Sequence, residues 1–526
     1  MTIFHRLLSD RAAEHGPRPA LLFGAETVSY AQLLARAEGT AARLIAHGVT
    51  AADNVALVME NSIAAVDAWL ASSVIGCTEV PVNPQYRGEL LLYLLSDSDA
   101  SVVIADAAFA GEVAALAPRL PQLRLILVHG ETGKTGGIVA PFEHGPADLQ
   151  PPPLADDAPE QIVLYTSGTT GPSKGVTHTQ RSMLTLARYN AEMVGYGPGD
   201  RLLNFFPLYH QNARYTGVIP AIWAGASIRL QRKLSTSTFW QTCREDGITA
   251  FNYLGSVLRL ILNVTPPDWT AADHTVRKAF GAGAPPALWR ELQDRLGIRL
   301  VETYGLSEAP MATVNTSEGG RSATLGSAGR ASDLFEIGVV DEGDNLLGPD
   351  ETGEIVIRPR CPDAIMSGYR KKEAATVSAF RNLWFHSGDR GRLSASGELY
   401  FEERDKDAIR RRGENISAWE VESVLELHPD IAECAVYALP DSETDEAVAA
   451  ALMLSRPDAD LAAIVAFAAD RLPSYAVPSL IRVMDDLPRT PTQKVQKARL
   501  REAGRDAHLA AAELARRATI IEETRP

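Results

Sequence analysis

Short apolar runs alternate with longer amphipathic stretches from residue 30 to residue 303. Helical spacing over 30–47 gives way to a strand over 55–59, a helix over 63–75, a strand over 79–82, a helix over 89–95 and a strand over 101–105. This alternation is the signature of a parallel sheet covered by crossover helices. A proline run, Pro151 to Pro153, precedes a second series with strands over 162–166, 202–206, 248–254, 276–280 and 300–303. Pro285 and Pro286 open a helix expected to reach Leu296, since proline is favourable in a first helical turn. After Arg321 the pattern changes to short strands punctuated by Gly338, Gly343, Gly348 and Gly353, which predicts a small β-rich subdomain. A charged seam, RDKDAIRRR over 404–412, separates this from an α+β stretch ending in an Ala/Arg-rich helix. The 526 residues exceed what a single core sustains. The expected fold is therefore α/β: a large N-terminal body of doubly wound sheets with a small β-rich subdomain (1–403), a hinge (404–408), and a mobile α+β C-terminal domain (409–526).

Within this frame one segment carries legible chemistry. Residues 161–176 read QIVLYTSGTTGPSKGV, an apolar strand entering a loop of Thr, Ser, Gly, Pro and Lys. Glycines let backbone N–H groups approach an anion closely. The hydroxyls of Thr166, Ser167, Thr169, Thr170 and Ser173 add donors and Lys174 adds a positive charge. The loop suits a polyphosphate, yet it lacks the Gly-Lys-Ser/Thr ending of a Walker loop.

The bulk numbers exclude several classes. A formal net charge of −15 argues against general binding to nucleic acid or to membrane surfaces. No apolar run approaches the roughly 20 residues of a membrane helix, and the N-terminal stretch MTIFHRLLSDRAAEHG has an amphipathic helical pattern without the apolar core of a signal peptide. Cys77, Cys243, Cys361 and Cys434 lie far apart, so neither a zinc site nor a disulfide framework is indicated. These features together predict a cytoplasmic location.

YTSGTTGPSKG resembles the signature of the adenylate-forming superfamily, which holds acyl-CoA synthetases, peptide-synthetase adenylation domains and luciferases. The resemblance continues in the family's order over most of the chain. FFPLYHQNA (205–213) looks like its acid-pocket motif, GAGAPP (281–286) like its adenine-binding turn, and YGLSE (304–308) like its aromatic-Gly-x-Thr-Glu motif with Ser307 in the Thr place. GEIVIR (353–358), WFHSGD (384–389), GELYFEERDKDAIRRRGENISAWEVE (397–422) and PRTPTQKVQK (488–497) follow. The style is most similar to the carnitine/crotonobetaine-CoA ligase branch.

The resemblance implies ATP-dependent activation of a carboxylic acid as its acyl-adenylate, followed by transfer to coenzyme A. Loading of a carrier protein's phosphopantetheine is the alternative acceptor. A non-catalytic nucleotide-binding protein is a further alternative, which intact motif residues oppose. By resemblance Thr166, Ser167, Gly168, Thr169, Thr170, Gly171 and Lys174 hold the departing phosphates, and Glu308, with Thr166, holds Mg²⁺. Gly281, Ala282, Gly283, Thr303, Tyr304, Gly305 and Ser307 surround the adenine, Asp389 takes the ribose hydroxyls, and Arg404 adds a nucleotide contact. His210 gates or orients the acid; it needs no role as a base, since a carboxylic acid is already ionised at neutral pH. Lys494 reaches the reacting carboxylate and α-phosphate from a loop in which Gln493 stands where glycine is common. Lys406 is the pivot, and Arg412, Gly413 and Glu414 border the channel for coenzyme A, with Arg410 to Arg412 near its anionic end.

The acid itself is less legible. FNYLGSVLRLIL (251–262) is largely apolar and favours a hydrophobic or cyclic body. Tyr209, Tyr215, Trp223 and Tyr253 offer the aromatics of a cage for a quaternary ammonium, whereas Arg214 would repel such a cation.

Overall fold

The structure is a computed structural model that describes residues 2–84, 86, 88–131, 136–146, 162–166, 174–317, 323–404, 409–411, 414–416, 418–441, 445–472, 474, 476–491 and 493–511. The chain divides into two compact units, the first comprising residues 1–337, 357–385 and 397–399, the second 338–356, 386–396 and 400–526.

Two sheets build the first unit. One runs in the order Arg299–Glu302, Lys278–Ala282, Ala250–Leu254, Arg201–Asn204, Ser227–Leu230, Pro19–Phe23, Glu26–Ser29 and is parallel except for its last strand. The other runs Gly368–Tyr369, Lys174–His178, Ile162–Thr166, Thr78–Pro81, Asn54–Val58, Val102–Asp106, Leu125–His129, Val139–Pro141. It is parallel from Ile162–Thr166 onward, while its first two strands run antiparallel. These are the doubly wound sheets expected from the alternation. Helix Tyr30–Ala46 starts at Ser29, which accepts from the Gln32 amide while the Gln32 side chain accepts from the Ser29 amide, satisfying two otherwise orphaned donors. Every residue of helix Ile63–Ile75 is buried, as its apolar circumference requires.

Two features depart from the sequence reading. The hairpin Pro19–Phe23/Glu26–Ser29, turning at Gly24 with φ +56°, joins a sheet whose neighbouring strand lies some 200 residues away at Ser227–Leu230. The helix opened by Pro286 is α-helical only to Arg290 and widens to a π-turn over Glu291–Arg295, with the Leu296 amide donating to the Glu291 carbonyl.

A third sheet, in the order Thr313–Val314, Gly329–Ala331, Glu398–Arg404, Trp384–Leu393, Gly353–Pro359, Phe335–Val340, supplies the expected short strands. The remainder of the second unit is α+β. Its sheet runs Glu414–Ile416, Ile409–Arg411, Asp445–Leu454, Leu480–Val483, Leu509–Ala510, with Ile431–Asp441 also paired to Asp445–Leu454. The expected terminal Ala/Arg-rich helix falls largely in residues 512–526, outside the described residues. Among the described residues no helix is long and apolar enough to cross a membrane, and the four cysteines are unpaired.

Candidate functional site

Strands Ile162–Thr166 and Lys174–His178 are antiparallel neighbours, and Thr166 pairs directly with Lys174. The loop between them therefore leaves and returns at one point on the sheet edge. Ser167, Gly168, Thr169, Thr170 and Gly171, with the side chain of Thr166, lie outside the described residues. What borders that point is described. The Lys174 ammonium sits 4.7 Å above the Tyr369 ring, and the Tyr369 hydroxyl donates to Glu308 Oε1 at 2.8 Å. Burial and the carboxylate push the Tyr369 hydroxyl's pKa upward, so it stays a donor. The Glu308 Oε2 atom has no protein partner among the described residues. The Glu308 carbonyl accepts from the Met366 amide at 2.8 Å, tying the YGLSE turn to the segment that leads into Gly368–Tyr369.

His178, at the far end of the strand begun by Lys174, fixes the same turn from within. Its Nε2 lies 2.6 Å from the Ser307 carbonyl and its Nδ1 2.9 Å from the Ser182 hydroxyl. Complete burial lowers its pKa to about 4, so the imidazole is neutral at pH 7, donating to Ser307 and accepting from Ser182. Sequence reasoning passed over His178, because its partner lies 129 residues away.

The GAGAPP turn is built around a second overlooked residue. Glu302, buried at the end of its strand, accepts from the Gly283 amide, the Ala284 amide at 3.0 Å and the Tyr253 hydroxyl at 2.7 Å. Burial pushes its carboxyl up to about 7, and those donors oppose the shift. Gly283 takes φ +74°, and a Cβ on Gly281 would lie 2.2 Å from the Tyr253 carbonyl oxygen, so both positions require glycine. The Thr303 amide donates to the Gly281 carbonyl at 2.9 Å, and Thr313 bonds the Tyr304 backbone at both its amide and its carbonyl. Gly281, Ala282, Gly283, Thr303, Tyr304 and Gly305 are thus brought together at the C-terminal ends of adjacent parallel strands, the usual ligand edge of such sheets.

On the acid-pocket motif, Asn61 holds the loop. Its side chain donates to the Phe206 carbonyl at 2.9 Å and accepts from the Leu208 amide at 2.8 Å. His210 lies with its Nε2 buried and unpartnered among the described residues, and burial lowers its pKa to about 4. A neutral imidazole with one uncommitted nitrogen suits an orienting contact.

Arg214 does not face a ligand as a free cation. It is buried, 2.6 Å from both oxygens of the fully buried Glu79, bonded to the Leu208 carbonyl, and stacked 4.4 Å over the Trp69 ring. Three of the four aromatics offered for a cage have other partners. Tyr215 packs edge-on against Phe4 and Trp69, Tyr253 commits its hydroxyl to Glu302, and Tyr209 lies against His210.

In the second unit Asp389 is buried within strand Trp384–Leu393, and Glu354 holds the residues before it. The two Glu354 oxygens accept from His386 Nδ1 at 2.9 Å and the Gly388 amide at 3.0 Å; the Ser387 hydroxyl accepts from the Asp389 amide at 3.1 Å and donates to the Ile355 carbonyl at 2.6 Å. Gly388 has φ +67°. Lys494 is exposed on a backbone reversal in which the Thr490 amide donates to its carbonyl at 2.8 Å. The side chains of Arg404 and Glu414, and all of Lys406, Arg412 and Gly413, lie outside the described residues; the backbones of Arg411 and Glu414 pair.

Fold and turn geometry together define a doubly wound α/β chain with a glycine-bearing turn at the C-terminal edge of its parallel strands. The chain matches the AMP-binding enzyme family over residues 8–370 and the AMP-binding enzyme C-terminal domain over 420–494, and it belongs to that family. It is 33% identical to the steroid-22-oyl-CoA synthetase of Rhodococcus jostii over 82% of this chain and 79% of that one. It is 29% identical to the crotonobetaine/carnitine–CoA ligase of Citrobacter koseri over 94% of this chain and 98% of that one. Among solved structures, o-succinylbenzoate-CoA synthetase of Bacillus subtilis in complex with its acyl-adenylate intermediate superposes with a TM-score of 0.78 at 27% identity, over 94% of this chain and 97% of that one.

Proposed function

We propose that the chain joins a carboxylic acid to ATP and passes the acyl group to coenzyme A. In the first half a carboxylate oxygen attacks the α-phosphorus, the bond to the bridging oxygen breaks, and pyrophosphate leaves. In the second half a thiol sulfur attacks the acyl carbon, AMP leaves with the bonding pair, and the thiol proton passes to water. The chain of contacts Lys174–Tyr369–Glu308, flanking the strand pair that bounds the phosphate loop, is the observation that carries this reading. It sets an ammonium and a carboxylate on either side of one tyrosine, as neutralising a polyphosphate and its counter-cation requires.

The roles we assign are those the family resemblance implies. The loop 166–174 grips the departing phosphates. Glu308, with Thr166, would hold Mg²⁺, a hard cation that one or two carboxylates and phosphate oxygens suffice to bind. When bound, such an ion supplies charge neutralisation. Gly281 to Gly283 and Tyr304 take the adenine, Asp389 the ribose hydroxyls, and Arg404 a further nucleotide contact. His210 orients the acid carboxylate, and Lys494 neutralises the charge that gathers where carboxylate and α-phosphate meet. Arg412, Gly413 and Glu414 border the path of coenzyme A.

For the acid we infer a hydrophobic or cyclic body. Helix Gly255–Asn263 buries Val257, Leu258 and Ile261, Arg214 is neutralised by Glu79, and the aromatics that a quaternary ammonium would need point to different partners. The naming of a relative as a steroid-acid synthetase supports this choice.

Pyrophosphate release measured across aliphatic, aromatic, polycyclic and betaine-type acids tests it: a polycyclic or long-chain acid is expected to lead, and a betaine in first place overturns the substrate assignment. Weighing the products formed with coenzyme A and with a holo-carrier protein decides the acceptor. Lys494→Ala is expected to cut adenylate formation by at least about a hundredfold while leaving thioester formation from supplied acyl-adenylate within about threefold. Equal loss in both halves would contradict the division of labour.

A further inference from the structure

Lys494 leaves the backbone from a peptide unit that is pinned at both ends. The amide of Lys494 donates to the Thr490 hydroxyl at 3.2 Å, and the carbonyl of the same peptide, on Gln493, accepts from Arg489 Nη1 at 3.0 Å. Backbone bonds close the rest of the reversal: the Thr490 amide donates to the Lys494 carbonyl at 2.8 Å and the Gln493 amide to the Thr490 carbonyl at 2.9 Å. Arg489 and Val495 face each other as an antiparallel bridge.

Gln493 sits inside this reversal at φ +66°, the left-handed region in which a side chain is strained and glycine is not. Relaxing φ rotates the 493–494 peptide and swings its carbonyl away from whatever holds it. Arg489 is what holds it. The guanidinium is itself fixed, because Nη2 is bonded to the Glu433 carboxylate on strand Ile431–Asp441, and Nε faces Asp486 at 3.7 Å. Arg489 is only 16% exposed, so its fork has one arrangement, with one arm on the sheet and the other on the strained peptide.

We propose that Arg489, anchored by Glu433, is a positioning residue for the adenylation half-reaction: it keeps the peptide before Lys494 in its left-handed setting and so aims the ammonium. The role is specific to a chain with a side chain at position 493, where glycine would hold the geometry unaided. This inference rests on the reading of Lys494 given above.

The test uses the full-length enzyme with the best acid from the screen. Arg489→Gln, Gln493→Gly and the double variant are compared for adenylation, for thioester formation from supplied acyl-adenylate, and for thermal midpoint. Arg489→Gln is expected to lower kcat for adenylation by about tenfold to a hundredfold, with KM for ATP and acid within about threefold and the thioester half within about twofold. Adding Gln493→Gly to Arg489→Gln is expected to restore adenylation by about fivefold or more, because glycine takes the left-handed setting without help. The proposal is overturned if Arg489→Gln leaves adenylation intact, if both halves and the midpoint fall together, or if glycine at 493 restores nothing. Should Arg489→Gln fail to fold, Arg489→Lys carries the same readouts, since an ammonium keeps the charge beside Glu433 without the two-armed fork. Lys494→Ala runs alongside. If it leaves adenylation intact, the parent reading has failed. If it abolishes adenylation while Arg489→Gln does not, only the Arg489 assignment has failed.

Discussion

Glu302 tolerates its place in the interior by gathering three donors: two amides of the GAGAPP turn and the Tyr253 hydroxyl. Its carboxyl, raised from 4.5 to about 7, keeps its proton in the folded chain over a pH range where the unfolded chain has lost it. The sign follows: the burial penalty is absent below the unfolded value, grows as pH rises through this window, and is constant above it. Glu302→Gln is expected to flatten that slope. Relative to the variant, the native chain should lose on the order of 3 kcal/mol between about pH 4.5 and about pH 7, read by chemical denaturation at several pH values. A difference independent of pH would mean that Glu302 titrates as an ordinary carboxyl. The neighbouring glycine makes a sharper demand. Gly281→Ala places a methyl 2.2 Å from the Tyr253 carbonyl oxygen, and backbone there cannot give way. ATP binding, followed by calorimetric titration, should weaken by at least about tenfold.

Among the elements, the two-residue strand Gly368–Tyr369 does more than its length suggests, since it delivers a hydroxyl to Glu308 and a ring to Lys174. Tyr369→Phe keeps the ring and removes the donor. The Mg²⁺ concentration giving half-maximal pyrophosphate release should rise about threefold to tenfold, with the thermal midpoint little changed. An unchanged Mg²⁺ requirement would separate Tyr369 from the metal. The elements themselves were largely legible in the sequence. Helix Ile63–Ile75 and strand Ile162–Thr166 have the bounds that periodicity predicts, because each is specified by its own residues. The hairpin Pro19–Phe23/Glu26–Ser29 was not legible, for its place depends on Ser227–Leu230. The same physics limited the reading of the site. Motif spacing singles out Glu308, Asp389 and Lys494 as candidates, whereas Asn61, His178, Glu302, Glu354 and Arg489 bond partners that only folding brings near. Glu354 lies within GEIVIR, yet nothing local shows that its two oxygens grip His386 and Gly388, just before Asp389.

At the scale of the molecule, the first unit depends on a buried ion pair that joins its two sheet systems. Arg214, on the segment following the acid-pocket motif, meets Glu79 on strand Thr78–Pro81, 135 residues away. Burial pushes the Glu79 carboxyl upward and the guanidinium opposes it. Glu79→Gln is expected to cost about 3–5 kcal/mol, because it leaves a guanidinium in the interior uncompensated. The double replacement Glu79→Leu with Arg214→Met should recover most of that loss, as followed by thermal unfolding; a double variant no better than the single would show that the pair contributes more than mutual compensation. The pairing bears on how such a chain diversifies. Neither position can drift by itself without passing through a poorly folded intermediate, so the segment after 205–213 inherits a fixed arginine however freely the neighbouring residues change. Descendants of this scaffold would replace many residues around that arginine long before they replaced it.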